Sequence, residues 1–127
     1  MATDNQWIDV PADPKVLIVN IGDMLEALSN GIFRSTPHRV LNLSPERFSL
    51  PYFVATNHDT VIEPFPQLVQ AGEKPKYAPF LAGEHLERML VRDFPYLTDK
   101  LRSSLTNLPN STGIKNPFES RLKQGVS

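Results

Sequence analysis

The chain has 127 residues, 40% of them hydrophobic, which suits one modest domain burying roughly two thirds of its unfolded surface, and nothing in it supports two. Its 13 basic and 14 acidic residues are interspersed and leave a formal net charge of -1, so there is no broad field for nucleic acid or an anionic membrane and a small-molecule partner is the default. With no cysteine, disulfides and thiolate metal sites are excluded, and any metal would rest on His, Asp, Glu and water, a set that suits non-haem iron.

The first residues carry neither a basic n-region nor an apolar h-region, and no apolar run approaches roughly 18 residues. The expectation is a soluble, cytoplasmic protein. Trp7-Ile8-Asp9-Val10 alternates apolar and polar before Pro11, and Lys15 to Ile21 is rich in β-branched residues, so both are predicted strands. Asp23 to Leu28 places Met24, Leu25 and Leu28 at helical spacing, with Asp23 available as N-cap and Gly31 just beyond the end, which predicts one or two helical turns. Asn30-Gly31 is a turn signal, after which Ile32-Phe33-Arg34 resumes as a strand.

Arg47 and Ser49 lie two apart on the next predicted strand and share a face with Pro51 and Phe53, while Phe48, Leu50 and Tyr52 face the other way. A guanidinium beside a hydroxyl can receive one carboxylate; the plainer alternative is an exposed arginine pairing with Glu46 or Glu63. From Phe65 to Pro79 prolines and polar residues read as a loop. Leu81 to Arg92 then has the period of an amphipathic helix, with Leu86, Met89 and Leu90 on its apolar face. A second short helix is expected from Thr98 to Leu105, and a frayed tail from 107 to 127. Twelve prolines and six glycines cut most of the chain into short pieces, as in a β sandwich or barrel.

The three histidines differ in setting. His38 stands at a strand start within Ser35-Thr36-Pro37-His38-Arg39-Val40, where a fixed backbone could aim an imidazole; alone, such a histidine is more often structural than a ligand. His58 lacks a carboxylate two residues on and reads as a surface residue. His85-Leu86-Glu87 spells His-x-Glu, but side chains two apart on a helix point to nearly opposite sides and cannot share one ion, so both read as surface or tail residues.

Taken in order, Ile18-Val19-Asn20-Ile21-Gly22-Asp23-Met24, Asn30-Gly31, Ser35-Thr36-Pro37-His38-Arg39-Val40 and Glu46-Arg47-Phe48-Ser49-Leu50-Pro51-Tyr52-Phe53 resemble the C-terminal half of plant- and fungal-type Fe(II)/2-oxoglutarate dioxygenases, the isopenicillin N synthase-like group. The resemblance covers about residues 6–97, with 98–127 as a helical and then flexible tail. It implies a mainly β fold, a partial double-stranded β-helix or jelly roll with a C-terminal amphipathic helix. It implies His38 as the distal of two iron-binding histidines, and Arg47 with Ser49 as the clamp for the far carboxylate of 2-oxoglutarate. The cofactor and cosubstrate implied for a complete domain are Fe(II) and 2-oxoglutarate, with succinate and carbon dioxide released as a small organic substrate is oxidised.

No histidine precedes His38, so the family's upstream His-x-Asp iron motif is absent from this sequence. The expectation is therefore a chain that begins within a domain and is inactive alone. Exposed sheet edges would then be open to self-association, and a natural, non-catalytic β-sheet binding module is the alternative reading. An unrelated β sandwich would require all these segments to arise in order by chance.

Overall fold

The computed structural model describes residues 6–11, 13–41, 45–98 and 117–118. The first regular element is helix α1, Asp23–Leu28, as its spacing predicts. Its end forms a Schellman closure: Gly31 N–H donates to Glu26 O at 2.8 Å and Asn30 N–H to Ala27 O at 2.9 Å. Asn30 occupies the left-handed region at φ 52° and Gly31 follows at φ 81°. A side chain at Gly31 would also crowd the Tyr77 hydroxyl, 3.2 Å from a Cβ there, so this corner favours glycine on both counts. The N-cap is Gly22, and Asp23 is the first helical residue with its side chain turned elsewhere.

The loop from 63 to 79 folds back over the end of α1. Phe65 N–H donates to Leu28 O, Asn30 Nδ2 donates to Leu68 O at 3.2 Å, and Lys76 N–H donates to Asn30 Oδ1 at 2.9 Å. The carbonyls and amides that a helix end and a loop leave open thus satisfy one another. A single 3-10 turn, Pro66–Leu68, is the loop's only regular structure.

Two short strands flank this loop. β1, Val61–Ile62, pairs antiparallel with β2, Phe80–Leu81, in the register Val61 to Leu81 and Ile62 to Phe80. β2 runs directly into helix α2, Ala82–Asp93. Leu81 cannot cap with its side chain, and the loop before β1 supplies the acceptors instead. Ala82 N–H donates to Thr60 O and Gly83 N–H to His58 O, both at 2.9 Å.

The core is Ala27, Ile62, Phe80, Ala82 and Phe118, with Met24, Leu28 and Tyr77 packed against it. Phe118 stacks on Tyr77 at a ring separation of 5.5 Å and meets Phe80 edge-on at 5.9 Å. The frayed tail expected from 107 to 127 therefore fails at this position, where an isolated aromatic finds an apolar slot. The expected helix from Thr98 to Leu105 lies outside the described residues beyond Thr98 itself; ahead of it Pro95–Leu97 makes one 3-10 turn.

The mainly β, partial jelly-roll architecture is not what the described residues form. Among them the sheet consists of β1 and β2, neither of which the sequence pattern marked. The predicted strands at 7–10, 15–21, 32–34 and 47–53 carry no ladder hydrogen bonds, and the start of the second lies in a turn closed by Val16 N–H to Asp13 O. Phe48, Leu50 and Tyr52 are 97%, 101% and 92% exposed, and Val16 to Val19 is likewise open. The physical reason is that strand propensity expresses a fit to neighbouring strands; without a neighbour the backbone groups turn to water. No helix among the described residues is long and apolar enough to cross a membrane.

Helix α2 has the predicted extent within a residue, but its buried face differs. Ala82, Gly83 and His85 are buried and Leu86 is 46% exposed. An imidazole thus lies where an aliphatic side chain was expected, between the rings of Phe80 and Phe118 at 5.2 and 5.6 Å.

Candidate functional site

The Ser35 to Val40 segment leaves α1 through a short side-chain bridge. Ser29 Oγ accepts from Phe33 N–H at 3.1 Å, and Ile32 N–H donates to Ser29 O, which turns the chain back along the helix. Two residues on, Ser35 N–H donates to Glu26 Oε2 at 2.6 Å. Glu26 is 2% exposed, and its Oε1 accepts from the Tyr77 hydroxyl at 2.7 Å. A buried carboxylate is held by donors on both oxygens, as the cost of desolvating it requires.

His38 follows on an exposed, extended stretch. Its Nδ1 lies 3.1 Å from Thr36 O. A carbonyl only accepts, so in the neutral ring the proton is on Nδ1 and Nε2 carries the lone pair. This is the tautomer of a histidine that binds a metal through Nε2 while a backbone carbonyl orients the ring. Next to it the Arg39 guanidinium sits 4.3 Å over the Trp7 ring, a cation–π contact.

Arg47 and Ser49 are exposed on the unpaired stretch 47–54. The structure does not enclose them with His38. A cleft of about 270 Å³ lies elsewhere, between Asn30, Ile32 and the loop from Gln67 to Lys76. Among the described residues no three His, Cys, Asp or Glu side chains converge on a point that could hold a metal. His38 has suitable donor chemistry for Fe(II), but one imidazole is one ligand, and the residues present do not make a complete iron centre.

The other two histidines pair with carboxylates. His85 is 3% exposed, with Nε2 3.3 Å from Asp23 Oδ2, which corrects its reading as a surface residue. Glu87, read likewise, is largely covered; its Oε1 lies 3.0 Å from His58 Nε2, and the half-exposed His58 ring closes over Gly83. The helical argument against a shared ion stands, since His85 and Glu87 face different partners.

Sequence reasoning missed Glu26 as part of this region. The usable signal was a glutamate three residues after Asp23 on a helix whose remaining face is apolar, which places an acid against the core.

Residues 1–56 match the model of the 2OG-Fe(II) oxygenase superfamily. The chain is 52% identical over 61 residues to gibberellin 2-beta-dioxygenase 8 of Arabidopsis thaliana, covering 47% of this chain and 18% of that protein. It is 38% identical over 91 residues to a homoarginine-6-hydroxylase of Glycine max, covering 70% of this chain and 28% of that protein. It is 40% identical over 79 residues to a 2-oxoglutarate-Fe(II) type oxidoreductase of Emericella nidulans, covering 61% and 23%. The chain thus spans between 18% and 28% of the length of these relatives. No solved structure matches it. The matches show a segment of the 2OG-Fe(II) oxygenase superfamily in residues 1–56 of this chain.

Proposed function

We propose that this chain contributes one iron ligand and the cosubstrate clamp to an Fe(II)/2-oxoglutarate-dependent oxygenase acting on a small organic substrate. The observation that carries the proposal is the His38 ring: Nδ1 is engaged by Thr36 O, leaving Nε2 as the metal-directed nitrogen, within the segment that matches the superfamily. Arg47 and Ser49 follow in that segment with the donors needed for one carboxylate of 2-oxoglutarate, a bidentate guanidinium and a hydroxyl. In this reading the open stretches 16–20 and 47–54 are jelly-roll strands that await their neighbours, and burial of Arg47 follows from that pairing.

The reading also makes the chain inactive by itself, because a single imidazole does not retain Fe(II). Titrated with Fe(II) under anaerobic conditions, the chain and its His38→Ala variant are expected to bind equally weakly. A large loss of affinity in the variant would overturn the incomplete-site reading.

A second reading rests on the exposure of Val16 to Val19 and of Phe48 to Val54. Unpaired, apolar and extended, these stretches suit β-addition to another chain, so a non-catalytic binding module that also self-associates is the alternative.

A further inference from the structure

His38 sits on a stretch with no ladder hydrogen bonds, yet a ligand must be held to within a fraction of an ångström to serve a metal. Two contacts bracket it. On the downstream side the Arg39 guanidinium rests on Trp7. On the upstream side Ser35 N–H is bound to the Glu26 carboxylate. The second contact is the better anchor, since Glu26 is buried on α1 and is itself held by Tyr77 from a loop 51 positions away. The hydrogen bond is short, charge-assisted and shielded from water, whereas Trp7 is about half exposed.

We propose that Glu26 is a positioning residue for His38: its buried carboxylate, braced by Tyr77, fixes the Ser35 amide and so the path by which the chain enters the Thr36 to His38 turn. The turn is what sets the ring, because Thr36 O belongs to the residue directly after the fixed Ser35 amide and accepts the hydrogen bond from His38 Nδ1–H. The ligand role of His38 rests on the proposed function above; the anchoring of its ring does not.

The test follows the 127-residue chain by NMR in three variants. Glu26→Leu keeps the packing volume and removes both acceptors. Glu26→Gln keeps one acceptor for Ser35 and can donate to the Tyr77 oxygen. Glu26→Asp keeps the charge but is one methylene too short to reach both partners.

In Glu26→Leu, Ser35 amide exchange is expected to accelerate roughly tenfold or more, as for a lost charge-assisted hydrogen bond. The His38 ring nitrogens should move from the Nδ1–H pattern toward a mixture of tautomers, while α2 amides such as Val91 keep their protection. Glu26→Gln should restore the wild-type ring signature, and Glu26→Asp should change it in the same direction as leucine. If leucine does not fold, aspartate decides. Unchanged ring shifts in the folded variants, or equal loss of protection in α2 and at Ser35, would overturn the positioning role. Neither result bears on iron binding, which the titration with His38→Ala reads separately.

Discussion

Replacing Phe118 with alanine is expected to destabilise the chain by about 3 to 5 kcal/mol, the range for removing a buried aromatic from a packed core. The ring is 2% exposed and touches three others, Tyr77, Phe80 and His85, so its loss opens a cavity that those rings cannot close without leaving their mutual contacts. Among the described residues the other large members of this core are Ile62 and Phe80, which leaves little there to absorb the change. Since small domains have a total stability of only about 5 to 15 kcal/mol, a loss of this size removes a large part of it and should move the unfolding midpoint to much lower urea. Urea unfolding followed by tryptophan fluorescence and circular dichroism measures this directly. A loss below about 1 kcal/mol would mean that Phe118 is not a core residue in solution.

The second large effect concerns Arg47. Fused behind the upstream half of a homologous dioxygenase that supplies a His-x-Asp motif, the chain is expected to convert 2-oxoglutarate to succinate in an Fe(II)-dependent manner. In that protein Arg47→Ala should raise the KM for 2-oxoglutarate by roughly ten- to a hundredfold, as expected for removing a bidentate charge-assisted pair. The effect should appear in KM more than in kcat, because the clamped carboxylate is remote from the reacting end of the cosubstrate. Ser49→Ala removes one neutral hydrogen bond and should cost less. A succinate rate whose dependence on 2-oxoglutarate is unchanged by Arg47→Ala would remove this residue from the clamp.

The two helices were the most legible part of the chain because their signals are local. The Asn30-Gly31 pair placed the end of α1, since few other dipeptides accept two positive φ values in succession. The extent of α2 followed from its period, but its orientation did not: a histidine counts as polar in any pattern, and His85 is buried because Asp23, 62 positions earlier, meets it. Asp23 looked like a cap for the same reason, as a carboxylate at a helix start usually turns to its own backbone.

The strands were the least legible in outcome. Val16 to Val19 has every local mark of a strand and Val61–Ile62 has few, yet only the latter found a partner. Pairing is a property of two segments, and one segment's composition cannot supply it. Phe118 was invisible for a similar reason, as a lone aromatic in a polar stretch gives no periodic signal. Of the candidate site, His38, Arg47 and Ser49 were read from a family resemblance carried by four short segments, and the ring tautomer of His38 then came from geometry alone. Glu26 escaped the reading because its partners Ser35 and Tyr77 lie 9 and 51 positions away.

The central claim is that His38 is an iron ligand whose companions come from an upstream His-x-Asp motif of the kind the fused half supplies. It is tested most directly in the fused protein described above, by measuring Fe(II) affinity and succinate release side by side for the parent and for His38→Ala. The account predicts that the parent binds Fe(II) and releases succinate, and that His38→Ala loses both, with 2-oxoglutarate turnover falling by roughly a hundredfold or more as one of three protein ligands is removed. Fe(II) binding and succinate release that survive His38→Ala would contradict it.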